Sequence, residues 1–225
     1  MLTGTRACVF DAYGTLFDFA SAAQGCADVL GEKAPVLTAL WRDKQLQYSW
    51  LRALQGQYAP FWQVTGEALD YALETLNLPL DGDLRAQLLG LYRVLGTFPE
   101  VPEVLRRLRE AGFITAILSN GSPDMLGTAV QSAGISGHLD AVLSVDEIRT
   151  YKPDPRVYQL AVDRLGVPAE AIVFQSSNAW DAHAAAAFGM RVVWCNRYAQ
   201  RRERLPGTPV REIQSLAELP ALLAR

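Results

Sequence analysis

Only three cysteines, Cys8, Cys26 and Cys195, occur in 225 residues, and they stand far apart. They make no Cys-x-x-Cys pair and no zinc-ligand spacing, and an odd number does not complete a disulfide framework. They read as small buried hydrophobes in a reducing compartment, so a cytoplasmic protein is expected. Charge of one sign is equally scarce. Lys and Arg number 21 against 24 Asp and Glu, a formal net charge of -3. That is too little to hold a nucleic acid or an anionic membrane surface. No apolar run reaches the roughly 18 residues of a membrane helix. The polar segment Met1 to Arg6 is too short to read as a signal peptide. Repeats and low-complexity tracts are also missing.

What the chain has is apolar material, half of its residues. That suffices for one large domain, or for a core domain with a smaller insert. Ala7 to Phe10 is a short buried strand. From Val36 to Gln57, Leu37, Leu40, Trp41, Leu46, Tyr48, Trp50, Leu51 and Leu54 recur without a breaker, as in one long helix. Gly66 to Leu76 and Leu84 to Leu95 read as two more helices, with Pro60, Pro79 and Gly82 in the loops. After Thr97 strand and helix alternate. Helices are expected from about Pro102 to Ala111, Pro123 to Ala133, Arg156 to Leu165, Trp180 to Phe188 and Leu216 to Leu223. Strands are expected at Phe113 to Leu118, Ala141 to Val145, Ala171 to Phe174 and Arg191 to Trp194. The fold class is therefore α/β, a Rossmann-like doubly wound parallel sheet carrying an inserted helical bundle. The core is expected to comprise residues 1-18 and 98-225, and the insert residues 19-97. Arg197, Arg201, Arg202 and Arg204 read as a solvated basic loop.

A parallel sheet gathers the ends of its strands at one edge, where such folds handle ligands. Asp11 ends the first strand, and Gly14 lets the chain turn sharply behind it. Ser119 and Asn120, Lys152, and Ser176 to Asn178 with Asp181 fall at the ends of others. Each has an ordinary explanation, as a turn former, a solvated lysine or a helix cap. Together they form a chemical set. Asp11 can act as nucleophile, Lys152 can neutralise it or a substrate anion, and Ser119 with backbone N–H groups can bind an anion. Asn178 and Asp181 can orient a water or the lysine. Tyr13, Phe61 and Trp180 would wall off solvent.

The stretches Phe10-Asp11-Ala12-Tyr13-Gly14-Thr15-Leu16-Phe17, Leu118-Ser119-Asn120-Gly121, Lys152-Pro153 and Ser176-Ser177-Asn178-Ala179-Trp180-Asp181 resemble the haloacid dehalogenase superfamily. The arginine-bearing stretch Trp41 to Trp50 narrows the resemblance to the L-2-haloacid dehalogenases, and the helical insert corresponds to that family's cap. The resemblance implies that Asp11 attacks C2 of a short (S)-2-haloalkanoic acid and displaces halide with inversion. Water then hydrolyses the aspartyl ester to give the (R)-2-hydroxy acid, without metal or other cofactor; fluoroacetate is left open as a substrate. It implies a halide cradle of Arg42, Asn120 and Trp180, and a substrate-carboxylate site at Ser119 and the backbone around Ala12. Lys152 is implied to be placed by Tyr158, Ser176 and Asp181. Thr15 is implied to support the loop, Asn178 to assist ester hydrolysis, and Tyr13, Leu46, Phe61 and Trp180 to form the apolar pocket. A homodimer is also implied. The superfamily's phosphatases carry a second Asp where this chain has Tyr13, so the proton donor for an alkoxide is missing, whereas a halide needs none. The family often has Gln after the arginine; here it is Asp43, expected to face solvent. A Mg²⁺-dependent phosphatase and a non-catalytic binding protein on the same fold are the alternatives. Replacement of Lys152 by Ala is expected to leave the fold intact and abolish turnover.

Overall fold

The structure, a computed structural model, describes residues 1–18, 27, 30–78, 82–93 and 95–223. Cys26 and Pro79 lie outside the described residues. Six strands form one sheet: β1 (Ala7–Phe10), β2 (Ile114–Ser119), β3 (Ala141–Ser144), β4 (Ile172–Ser176), β5 (Arg191–Cys195) and β6 (Arg211–Ile213). Their order is β3-β2-β1-β4-β5-β6 and every pairing is parallel. β1 and β4 are buried along their whole length, as central strands covered on both faces must be, which is why Ala7 to Phe10 carries no polar alternation. Phe10 is in register with Ile117 on one side and Gln175 on the other. The chain order reverses between β1 and β4, and a doubly wound sheet opens its ligand crevice at such a reversal.

Helices α4 (Val101–Glu110), α5 (Pro123–Ser132), α6 (Pro155–Leu165) and α7 (Ala179–Phe188) join the strands close to their expected bounds. In α4 the buried face is Val101, Val104, Leu105 and Leu108, the spacing of one helical stripe. β6 was not expected. Of its residues only Ile213 is buried, so no apolar run announces it; pairing with the edge of β5 makes it a strand. The expected terminal helix is broken into a 3₁₀ turn, Leu216–Glu218, and a single α turn, α8 (Leu219–Leu222).

Between β1 and α4 lies the helical insert, which forms a cap: α1 (Ala34–Gln55), α2 (Phe61–Thr75) and α3 (Gly82–Leu91). The buried stripe of α1 is Ala34, Leu37, Trp41, Gln45 and Ser49. Two of its members bond to α2: Trp41 Nε1 donates to the Thr65 carbonyl at 2.8 Å and Gln45 Nε2 to the Thr65 hydroxyl at 2.8 Å. Polar side chains are thus tolerated on the inner face because their partners are there. α2 starts at Phe61, not at Gly66. Pro60 is itself the extended residue just before the helix, and Gly66 lies inside it, where a Cβ would stand 2.8 Å from the Arg85 guanidinium. The two passages between sheet and cap run side by side. Phe17 pairs with Thr97, Asp18 N–H donates to Gly96 O at 2.8 Å, and Phe98 N–H donates to Leu16 O at 3.0 Å. Cys8 and Cys195 are buried and free. Among the described residues no helix is long and apolar enough to cross a membrane.

Candidate active site

Asp11 follows β1 at the reversal, held from below by its N–H to Gln175 O at 2.8 Å. Gly14, at φ 83°, turns the chain back in a conformation that side chains disfavour. The Ala12 carbonyl then accepts the N–H groups of Leu16 and Phe17 at 2.9 and 3.0 Å. This tight loop brings the Thr15 hydroxyl to Asp11 Oδ2 at 3.2 Å. The same oxygen accepts Asn178 Nδ2 at 2.8 Å and lies 3.4 Å from Ser176 Oγ. Oδ1 accepts Lys152 Nζ at 3.1 Å. The Asp11 side chain is 9% exposed, so donors from three segments of the chain replace most of its water.

Lys152 is buried, and its ammonium also donates to Asp181 Oδ2 at 2.8 Å. Burial alone would lower its pKa; Asp11 and Asp181 outweigh burial and hold it above the ordinary lysine value. Burial lifts the Asp181 carboxyl above its usual range, against the pull of Lys152. Tyr158 donates to Asp181 Oδ1 at 2.8 Å, and burial beside that carboxylate raises the phenol so far that it stays a donor. The main-chain N–H of Lys152 is fixed by Asn120 Oδ1 at 2.9 Å. Ser176 and Tyr158 reach Lys152 through its two carboxylate partners. Ser176 Oγ serves Asp11 and accepts Asn178 N–H at 3.1 Å, while Tyr158 acts through Asp181.

Arg42 reaches across from α1. Its Nη1 donates to Gln45 Oε1 at 3.0 Å, one helical turn on, and its Nη2 to Asn178 Oδ1 at 3.1 Å. Asp43, next to it, is exposed, as adjacent helix positions point apart. Ser119 ends β2, and its hydroxyl accepts Gly121 N–H at 3.0 Å. A cavity of about 20 Å³ lies at the centre, lined by Asp11, Tyr13, Arg42, Leu46, Phe61, Ser119, Asn120, Lys152, Asn178 and Trp180. Every residue expected at the substrate pocket lines it except Ala12, which is buried in the loop beneath. The Trp180 indole meets Trp50 edge to face at 5.5 Å between centroids.

The haloacid dehalogenase-like hydrolase family model matches residues 5–189. (S)-2-haloacid dehalogenase 1 of Pseudomonas sp. (strain CBS-3) is 49% identical over 98% of this chain and 97% of its own length. The chain belongs to the L-2-haloacid dehalogenase family. A crystallised family member, an L-2-haloacid dehalogenase 46% identical to this chain, superposes with a TM-score of 0.97 over 99% of this chain and 100% of its own. The family enzyme of Xanthobacter autotrophicus, solved with chloropropionic acid covalently bound, is 39% identical. It has a TM-score of 0.91 over 97% of this chain and 98% of its own.

Three residues near this family site escaped the sequence reading. Gln45 is buried and orients Arg42, but a glutamine among helical polars carries no signal of its partner. Ser177 donates its N–H to Thr15 Oγ1 at 2.8 Å and its hydroxyl to the Gly14 carbonyl. Arg197 is not solvated as expected: its side chain is 7% exposed and bonded inside the fold. Among the described residues no cluster of three His, Cys, Asp or Glu side chains converges on a metal-sized site.

Proposed function

We propose that this chain hydrolyses short (S)-2-haloalkanoic acids to (R)-2-hydroxy acids through an ester on Asp11. The observation that carries the reading is the setting of Asp11. One carboxylate oxygen meets the Lys152 ammonium at 3.1 Å and the other the Asn178 amide at 2.8 Å, beside a small cavity that Arg42 and Ser119 line together with Leu46, Phe61 and Trp180. Lys152 Nζ bridges Asp11 and Asp181, and position 13 holds a phenol ring in place of a second carboxylate. This arrangement supports displacement on carbon over phosphoryl transfer.

An Asp11 oxygen attacks C2 from the face opposite the halogen. The C–X bond breaks, the halide leaves with the electron pair, and an ester bond forms to the inverted carbon. Arg42, Asn120 and Trp180 receive the halide; a guanidinium suits an anion that leaves without a proton. Ser119 and the backbone near Ala12 hold the substrate carboxylate, with Tyr13, Leu46 and Phe61 around the alkyl group. Water then adds to the ester carbonyl carbon of Asp11; that carbon's bond to the oxygen carried by C2 breaks, the hydroxy acid leaves with one proton of the water, the other passes to solvent, and the new stereocentre is untouched. Lys152, Asn178, Ser176 and Thr15 stabilise the oxyanion and the returning carboxylate, and Tyr158 with Asp181 keeps Lys152 in place. Fluoroacetate belongs to the proposed range.

Residues 1-18 and 98-225 are taken as the core and 19-97 as the cap, a division supported by the pairing of Phe17 with Thr97. A homodimer is part of the proposal, supported by Leu51 and Leu54 of α1, 51% and 85% exposed. Trp41 and Phe61, by contrast, pack inside. A cytoplasmic setting is supported by the free thiols of Cys8 and Cys195.

The test is halide release from (S)- and (R)-2-chloropropionate with chelator, beside a phosphomonoester with Mg²⁺. Chloride and (R)-lactate from the (S) form alone are expected. Phosphate release without chloride from either enantiomer overturns the reading.

A further inference from the structure

Arg197 opens the loop after β5, yet its guanidinium is packed into the junction between sheet and cap. Nη1 donates to Glu100 Oε1 at 2.7 Å and Nη2 to the main-chain carbonyl of Thr15 at 2.9 Å. The guanidinium carbon stands 3.6 Å from the centre of the Phe98 ring, a stacking contact that a lysine ammonium does not reproduce. Ser215 Oγ donates to the same Glu100 oxygen at 3.1 Å. Burial would push the Glu100 carboxyl up, but the bond from Arg197 and its neighbours prevails and the net direction is down.

These partners belong to different passages. Thr15 lies where the chain leaves the sheet for the cap; Phe98 and Glu100 lie where it returns. One guanidinium rooted in the sheet therefore grips both. Its grip on the outgoing passage falls on the residue whose hydroxyl bonds Asp11 at 3.2 Å and accepts Ser177 N–H at 2.8 Å. A shift of the Thr15 carbonyl is passed to that hydroxyl, because the residue is short and its N–H is tied to Ala12 O at 3.3 Å.

We propose that Arg197 is a positioning residue for the dehalogenation: it ties the Asp11 loop to the two cap passages, so that one side chain sets both the cap's seat and the nucleophile's direction. The proposal rests on the dehalogenase reading. It assigns Arg197 no contact with substrate.

The experiment uses the full chain with Arg197→Met, Arg197→Lys, Thr15→Ala and the Arg197→Met/Thr15→Ala double variant. Halide release from (S)-2-chloropropionate gives kcat and KM, and thermal unfolding gives Tm. Misplacing a catalytic group from a distance costs up to about 100-fold. Arg197→Met is thus expected to lower kcat about 10- to 100-fold with KM within about threefold, and Arg197→Lys to recover only part. In the Thr15→Ala background the Met substitution is expected to change kcat by less than about twofold, as coupled neighbours do. Losses in kcat that multiply, or an Arg197→Met protein with wild-type kcat, overturn the proposal. If Arg197→Met does not fold, Glu100→Gln takes its place. It keeps the shape and weakens the grip, so a several-fold fall in kcat is expected and an unchanged kcat overturns the proposal. A wild-type protein without halide release removes the dehalogenase reading and this proposal with it; an active wild type beside unaltered variants removes this proposal alone.

Discussion

Asn178 accepts a hydrogen bond from Arg42 at 3.1 Å with its carbonyl oxygen, while its amide donates to Asp11 at 2.8 Å. A single side chain on the sheet edge thus joins the cationic group of the cap to Asp11, the proposed nucleophile. Its orientation is dictated, since a flipped amide would set donor against guanidinium and acceptor against carboxylate. The cap reaches the reacting centre through this amide.

Replacing Asn178 by Asp keeps the size and the acceptor for Arg42 but turns the donor facing Asp11 into a carboxylate. Loss of one preorganised donor in an active site costs roughly 10²- to 10³-fold. A fall of at least about 10² in kcat is expected, read as halide release under saturating substrate, with Asn178→Ala closer to wild type than Asn178→Asp. Comparable activity in the Asp variant would remove Asn178 from the proposed machinery.

Lys152 bears on stability as well as on turnover. Its replacement by Ala is expected to leave the fold intact. The structure places its ammonium between Asp11 and Asp181, buried with both. Removing one partner of a buried charge group costs roughly 3–5 kcal/mol. Lys152→Met is therefore expected to lose turnover and also to unfold at markedly lower temperature or denaturant. Calorimetry checks this; an unchanged Tm would mean that the carboxylates protonate or hydrate without cost.

The direction of the Lys152 shift fixes a pH dependence. The ammonium is held above its ordinary value of 10.5 in the fold. A raised basic group contributes stability that is fully present below the unfolded pKa and is lost as pH rises through the folded one. Activity is accordingly expected to survive on the alkaline side up to at least about pH 10. An initial-rate profile of halide release checks it, and an alkaline limb centred near neutrality would contradict a charged Lys152.

Gly121 is expected to be intolerant for a steric reason. A Cβ there would stand 2.8 Å from Tyr13 Cε2 and 3.1 Å from Leu126 Cδ2. Overpacking of this kind costs about 1–3 kcal/mol, and the ring that must yield lines the cavity. Gly121→Ala should lower Tm and raise KM for 2-chloropropionate more than for chloroacetate, which has no methyl group to place. Equal KM changes for the two acids would separate Tyr13 from the alkyl pocket.

Much of this architecture was legible. Val9 and Phe10 ahead of Asp11, and Ile117 and Leu118 ahead of Ser119, announce buried strands because a central parallel strand has no solvent face. The polar residues after them mark the common edge. β6 was invisible because Arg211 and Glu212 are exposed and its pairing is its only reason to be a strand. Arg197 was misread because local composition shows a basic run, and burial of one member depends on Glu100 and Thr15, far off in the chain. Gln45 was missed for the same cause: its partners Arg42 and Thr65 give it meaning only once α1 lies on α2.

The smallness of the central cavity carries a consequence for the rhythm of turnover. At about 20 Å³ it has room for about one water and none for a haloacid. In the proposed reaction the walls must part to admit the acid and part again to discharge hydroxy acid and halide. The water that cleaves the ester has to share that narrow space with it, so the widening of the cavity belongs in the rate equation of the proposed reaction beside the two chemical steps.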